Sequence, residues 1–466
     1  MKFDILNLDI TKKRMPIILA IAIFMQMLDS TILNTSLPAI AKDLNESPLN
    51  MQNAIVSYVL TLALFMPVSG FLADKFGTKK VLLFAFAVFA LGSLLCSLSQ
   101  SLTHLVVARV VQGLGGSLMT PVGKLALIKT FKKNELMLAM NYAIIPALIG
   151  PVLGPLVGGY LVEYFSWHWV FLINIPIAIL GIFLCMKYMP DYHSEVIDFD
   201  VKGFFIFASA SLALSVAIEG LGNAKNITPV LLIFLLGFLM LYYYFQHAKK
   251  DNNPIFPYNL FQVRTFRVGI LGNLATRLGI SSISLLIPLM IQIAHHKSPV
   301  VSGWIIAPMA LTAMFGKSFA ISILKKLGFR TTLILNTLII GILICFLAIP
   351  NSNTSIYWYI PIICLLGFFN TIQFTSMNSI SIADLRPYHT SSGNSLLSVN
   401  QQLAIGFGIS FGLIVLKLFE NSSLINGIVL SAFRYTFLVM GIITILSSLV
   451  FRRLQHKDGE NIQAED

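Results

Sequence analysis

The chain has 466 residues, of which 56% are hydrophobic and only 11% charged, with a formal net charge of +12. A soluble domain has no core large enough for that apolar share, and here the basic residues sit in short loops beside apolar stretches, so anionic headgroups and insertion topology explain them better than nucleic acid does. The composition excludes an ordinary soluble enzyme and points to an all-α polytopic membrane protein.

Fourteen apolar stretches follow one another at 15–38, 52–72, 80–98, 104–124, 137–161, 168–187, 203–221, 228–246, 268–292, 300–323, 331–349, 357–381, 394–417 and 434–451. Each reaches the roughly 17 residues a helix needs to cross hydrocarbon. Lys and Arg gather in alternate gaps, as Lys12/Lys13/Arg14, Lys75/Lys79/Lys80, Lys129/Lys132/Lys133, Lys325/Lys326/Arg330 and Arg452/Arg453, whereas the intervening gaps hold little beyond Lys42, Lys225, Lys297 and Arg434. The positive-inside bias puts both termini in the cytoplasm. The first stretch lacks a small-residue cleavage signal and reads as a retained helix. Residues 1–187 and 268–466 each carry six stretches, and 188–267 is a linker with two more, which predicts a 6 + 2 + 6 plan.

In chain order, the first span contains an acid. Asp29 sits mid-helix with Gln26 and Asn34 nearby, and an ionisable group at that depth must face the protein interior. It is the best candidate for proton coupling, because burial favours the neutral acid and a nearby cation the carboxylate; a structural ion pair is the competing reading. Between the second and third spans, Gly70, Asp74, Lys75, Gly77, Lys79 and Lys80 form a compact loop that reads either as a conformational latch or as a solvated turn. The fourth span holds Arg109, with Gln112 one turn on, a guanidinium suited to organising a carboxylate or carbonyl network. Helix breakers concentrate in the fifth span at Pro146, Gly150, Pro151, Gly154, Pro155, Gly158 and Gly159, which predicts a bent or closely packed helix, static or gating.

In the second half, Arg277 and Lys317 add positive charge within spans that suits a substrate carboxylate or a helix-terminus network, and Trp304, Met309, Gln373 and Asn378, with Gln26, Asn34 and Gln112 of the first half, are candidates for substrate contact, or else ordinary helix packing. Cys96, Cys185, Cys345 and Cys364 lie in apolar spans without ligand spacing and read as packing residues. No metal site, organic cofactor or catalytic constellation is expected, since no phosphate-binding glycine loop, HExxH run or nucleophile arrangement occurs.

Four segments together resemble the major facilitator superfamily, in particular its fourteen-span drug:proton antiporter branch. Leu28-Asp29-Ser30-Thr31-Ile32-Leu33-Asn34-Thr35-Ser36-Leu37-Pro38 is similar to the branch's first-helix signature; Gly70 to Lys80 resembles its cytoplasmic loop, Ala108 to Gly116 its fourth-helix arginine motif, and Gly150 to Gly159 its antiporter motif. The segment Trp167 to Pro176 is also similar, with His168 where a basic Arg is common. The resemblance implies two six-helix bundles with an additional helix pair, alternating access to a cavity, coupling through Asp29 and Arg109, and a latch role for Asp74. The second-half loop, Gly316-Lys317 to Lys325-Lys326-Leu327-Gly328-Phe329-Arg330, lacks the expected acid, so a symmetric pair of charge latches is doubtful.

The expected function is therefore proton-coupled secondary active export of small amphipathic or hydrophobic compounds, a multidrug antiporter of the bacterial cytoplasmic (inner) membrane. Its partners are a small-molecule substrate, protons and the lipid bilayer. Nucleic acid is not expected, and a periplasmic adaptor is compatible but not required. Proton-linked transport of a metabolite or siderophore uses the same scaffold, and a non-transporting membrane receptor is the more distant alternative.

Overall fold

The computed structural model describes residues 10–195, 198–222, 226–422, 428–455 and 457–459. The first nine residues, Lys225 and most of the acidic carboxyl-terminal tail lie outside them. The described residues are helical, in the order α1 (Ile10–Asp43), α2 (Gln52–Phe65), α3 (Val68–Phe76), α4 (Thr78–Ser97), α5 (Leu102–Thr130), α6 (Lys133–Ala147), α7 (Ile149–Tyr164), α8 (His168–Leu172), α9 (Asn174–Tyr188), α10 (Val201–Leu221), α11 (Thr228–Lys250), α12 (Arg264–Ile280), α13 (Ile283–Leu289), α14 (Pro299–Phe346), α15 (Tyr359–Ala383), α16 (Thr390–Glu420) and α17 (Val429–Phe451). A π-helical turn, Met290–Ala294, extends α13.

Twelve helical stretches are long and apolar enough to cross a membrane, and α2 with α3, bent by 58° at their break, makes a thirteenth if counted as one span. The molecule is thus an all-α polytopic protein with about twelve transmembrane helices. Its count differs from the fourteen apolar stretches because 300–323 and 331–349 lie in one 48-residue element, α14, whose residue Gly328 leaves helical geometry at φ 72°, ψ 166°. Gly328 thus divides α14 into two helical arms that meet at a kink.

The helices form two compact units. One comprises residues 1–198 together with Pro299–Gly303, the other residues 199–298 and 304–466. In the first, α1 lies against α5, α6, α7 and α9, and α4 packs along α5. The α4–α5 approach is backbone to backbone: a side chain at Gly92 would strike the main chain of Gln112. Small residues therefore set the depth at which the polar face of α5 meets its neighbours.

In the second unit, α12 is surrounded by α15, α16 and α17. Val268, Leu324, Phe329, Leu333, Met377, Ile380, Phe451 and Leu454 bury one another there. The hairpin of α10 and α11, expected as part of a separate linker, belongs to this unit, and Gly222 at its turn leaves space for Ile414 of α16. Asp200 caps α10 by accepting the Gly203 N–H at 2.6 Å, and its carboxylate also sits 2.8 Å from His247 Nε2, with Asp251 3.6 Å from the same nitrogen. The ligand atoms of these three residues fall within 4.8 Å of one another, a grouping that their sequence spacing did not signal.

Candidate functional site

The first unit places Asp29 and Arg109 against each other. Arg109 Nη1 donates to Asp29 Oδ2 at 2.6 Å, and both side chains are 1% exposed. Gln112 Nε2 and Asn174 Nδ2 donate to Asp29 Oδ1 at 2.7 and 3.1 Å, so three N–H donors converge on one carboxyl group. That is the set an acceptor-only carboxylate takes. Arg109 is fixed from its other sides: Nε donates to Ala54 O at 3.0 Å, Nη1 also reaches Gln112 Oε1 at 2.6 Å, and the guanidinium lies 4.0 Å from the Tyr58 ring centroid. Gln112 completes the cluster through Ser93 Oγ at 2.8 Å.

Helical spacing explains why α5 can do this. Arg109 and Gln112 are three residues apart and share a face, while Asp29 reaches them from α1 and Asn174 from the first turn of α9. Asn174 is the residue that the reading of single motifs missed, although it lies in the Trp167–Pro176 segment that carries part of the resemblance. A buried Asn opening an apolar span was the available signal. Gln112, a substrate candidate by sequence, is 0% exposed and committed to this cluster.

The loop residues form a second cluster. Asp74 Oδ1 pairs with Lys129 Nζ of α5 at 3.1 Å, not with the loop's own lysines, and the same ammonium donates to Ser194 Oγ at 2.5 Å. Lys75 lies over the rings of Phe71 and Phe76, Lys79 Nζ donates to Met186 O at 2.7 Å, and Lys80 is exposed. Gly77 has φ 95° and opens α4, whose Lys79 N–H is accepted by Asp191 Oδ1 at 3.1 Å. Tyr192 adds a backbone bond to Thr78 at 3.0 Å. The chain beyond α9 thus clasps this loop, through residues about 110 positions away that no local pattern could reveal.

The Asp74–Lys129 pair is partly solvated, with side chains 32% and 20% exposed, so it contributes at most about 1 kcal/mol. A link of that strength can open and close in a working cycle. Asp74→Asn is expected to slow transport while shifting unfolding by less than about 1 kcal/mol. Gly77→Ala forces an L-residue into positive φ and onto the Asp191 carboxylate, and is expected to cost at least about 1–2 kcal/mol. Thermal unfolding of purified variants beside vesicle transport rates checks both.

The fifth-span breakers are divided between α6, which ends one residue after Pro146, and α7. Side chains added at Gly150, Gly154 and Gly158 would meet Met27, Thr31 and Ile32 respectively, so these residues at i, i+4 and i+8 form the ridge on which α1 lies. Thr35 Oγ1 donates to Pro155 O at 3.4 Å, a polar tie from α1 to the backbone of α7. Gly159 faces the backbone of Pro299 and Val300, in the short segment belonging to the same unit, and Val300 N–H donates to Glu163 Oε2 at 3.0 Å. Pro151 is half-buried.

The remaining candidates scatter. Gln26 is buried and accepts from Thr120 Oγ1 at 2.6 Å, and Asn34 is buried in α1. Gln373 is buried between Asn336 Nδ2 at 2.9 Å and Thr337 Oγ1 at 2.8 Å, and Asn378 accepts from Gln401 at 2.6 Å. Trp304 and Lys317 are exposed, and Met309 is half-buried. Arg277 donates to Asn273 Oδ1 at 2.6 Å. His295, at the end of the π turn, is held below the usual imidazole range by burial, then by Lys297 and His296.

A model of the major facilitator superfamily matches residues 19–409 and 271–466, which between them cover nearly the whole chain. The chain belongs to the major facilitator superfamily. It is similar to the proteins that carry the name MdtD, for multidrug resistance: 39% identity over 442 residues in Pectobacterium atrosepticum, covering 94% of each chain, and 38% over 450 residues in Escherichia coli strain SE11, covering 96% of this chain and 95% of the relative. Among solved structures, an inward-facing, unoccupied bacterial homolog of the human lysosomal transporter Spinster shares the fold at TM-score 0.67 and 14% identity, covering 98% of this chain and 99% of that one. The facilitator-superfamily chain is therefore a secondary active membrane transporter related to multidrug-resistance proteins, and not an enzyme.

Proposed function

We propose that this transporter exports small amphipathic or hydrophobic compounds in exchange for protons, across the cytoplasmic membrane of a bacterium, with both termini inside. The buried carboxyl group of Asp29 carries the proposal. It is met by donors from α5 and α9, so adding a proton to it would cancel the charge that faces Arg109 and place an O–H among groups that are themselves donors. A neutral acid cannot compensate a buried guanidinium, and losing one member of a buried pair costs about 3–5 kcal/mol. Protonation is thereby linked to a rearrangement of α1 against α5 and α9.

In the proposed cycle Asp29 is proton-free when substrate is taken from the cytoplasm or inner leaflet. Proton uptake from outside accompanies release, and proton loss inward resets the carrier. Because Asp29 is closed to solvent in the present geometry, each proton exchange needs a conformation that parts it from Arg109. The weak Asp74–Lys129 link and the small-residue ridge of α7 are the elements we assign to latching and gating. A fourteen-span topology is supported by counting the bent α2–α3 pair as one crossing and the two arms of α14, divided at Gly328, as two.

The test is purified protein in vesicles with an imposed pH gradient and a panel of amphipathic compounds. Opposed fluxes of compound and proton are expected. Parallel fluxes would replace export by uptake, and compound flux without proton flux would remove the coupling.

A further inference from the structure

The second unit holds an arginine whose charge no acidic residue answers among the described residues. Arg277 lies mid-span on α12, half-buried, and among the described residues its guanidinium has a single hydrogen-bond partner, Asn273 Oδ1 at 2.6 Å through Nε, and no carboxylate. Its Cζ lies over the ring of Phe374 on α15, 5.3 Å from the ring centroid. Four N–H bonds on Nη1 and Nη2 are left to donate elsewhere. Directly beside them, Asn273 is 0% exposed and its Nδ2 has no hydrogen-bond partner.

An unpartnered buried amide and an uncompensated guanidinium are each costly at membrane depth. On α15, Gln373 Oε1 accepts from Asn336 and Asn378 Oδ1 from Gln401, and neither oxygen bonds Arg277 or Asn273. Both Asn273 and Arg277 are donors, and Asn273 uses its only acceptor atom to hold the arginine in place. What the pair lacks is an anion. Nη1 and Nη2 offer the fork that a carboxylate or phosphate accepts through two oxygens, the ring of Phe374 lies beside it, and the unpartnered amide adds a third donor.

We propose that Asn273, Arg277 and Phe374 form a receptor for the anionic group of the transported compound. The cargo class is then an amphiphile bearing a carboxylate or phosphate, not a lipophilic cation. This deepens the export reading above and rests on it for the word cargo, whereas the receptor itself is testable by binding alone.

The probes are aryl-alkyl carboxylates and phosphate monoesters, each with its neutral amide or alcohol and its cationic amine of the same skeleton. Their binding is measured on monodisperse purified protein and in phosphatidylcholine vesicles. Wild-type protein is expected to prefer the anionic members. Arg277→Gln is expected to weaken them by about tenfold or more while leaving the neutral members within about twofold, with partial retention in Arg277→Lys. Asn273→Ala should lower the same selectivity ratio, so the readout survives if one variant fails to fold. No anionic preference in the wild type, or equal loss for charged and neutral members, overturns the proposal. Displacement of the probe by phosphatidylglycerol in wild type but not in Arg277→Gln assigns the site to lipid headgroups and also overturns it as a cargo receptor. Anion selectivity with no pH-driven exchange would leave the receptor standing and remove only the coupling.

Discussion

Asp29→Asn is expected to abolish pH-gradient-driven exchange and to destabilise the protein by about 3–5 kcal/mol. The substitution removes the negative charge facing Arg109 at 2.6 Å and turns an amide N–H₂ toward donors that had a carboxylate oxygen to share. Arg109 cannot respond by losing its proton, and with 1% exposure it cannot find water. Thermal unfolding reports the first effect and vesicle exchange the second. The double variant Asp29→Asn/Arg109→Gln separates them, because it removes both charges: stability is expected to recover in large part while coupling does not. Exchange that persists unchanged in Asp29→Asn would end the coupling role and leave the pair as a structural tie between α1 and α5.

Gly158→Leu is expected to prevent assembly of the first unit or to eliminate transport. A Cβ at this position would lie 2.5 Å from Ile32 O and 2.6 Å from Thr35 Oγ1, so even alanine must push α1 away from α7. Overpacking typically costs about 1–3 kcal/mol, and displacing a main-chain carbonyl allows little relief by side-chain rotation. Because α1 also carries Asp29, a shift of α1 is expected to disturb the ion pair as well, and Gly158→Ala should lower both stability and exchange rate. Gly70→Ala is the control: nothing lies within 4 Å of its would-be Cβ, and it is expected to leave folding unchanged. Equal effects at the two glycines, measured by monodisperse yield and unfolding temperature, would remove the packing argument for the α7 ridge.

Gly70 shows why a motif is not yet a mechanism. It belongs to the same loop as Gly77, and sequence alone gives the two the same standing. Gly77 takes a positive φ and faces Asp191, whereas Gly70 occupies ordinary helix in open space. The loop's lysines divide likewise: the partner of Asp74 is Lys129, at the far end of α5, while Lys75 rests on two phenylalanine rings.

The membrane class, the helical architecture and the presence of Asp29 and Arg109 as ions within spans were determined by the sequence itself, for a physical reason. Hydrocarbon demands long apolar helices and tolerates an ion only where protein compensates it, so span positions and intramembrane charges are local properties written residue by residue. The pairing of those charges was decided only by tertiary structure. Asn174 joins Asp29 across 145 positions, Asp191 caps α4 across 112, and Arg277 meets an amide and a ring but, among the described residues, no acid. Such contacts depend on which helix faces meet and how closely, a depth set by glycines at the helix crossings, and spacing along one helix carries no record of its neighbour across the bilayer interior.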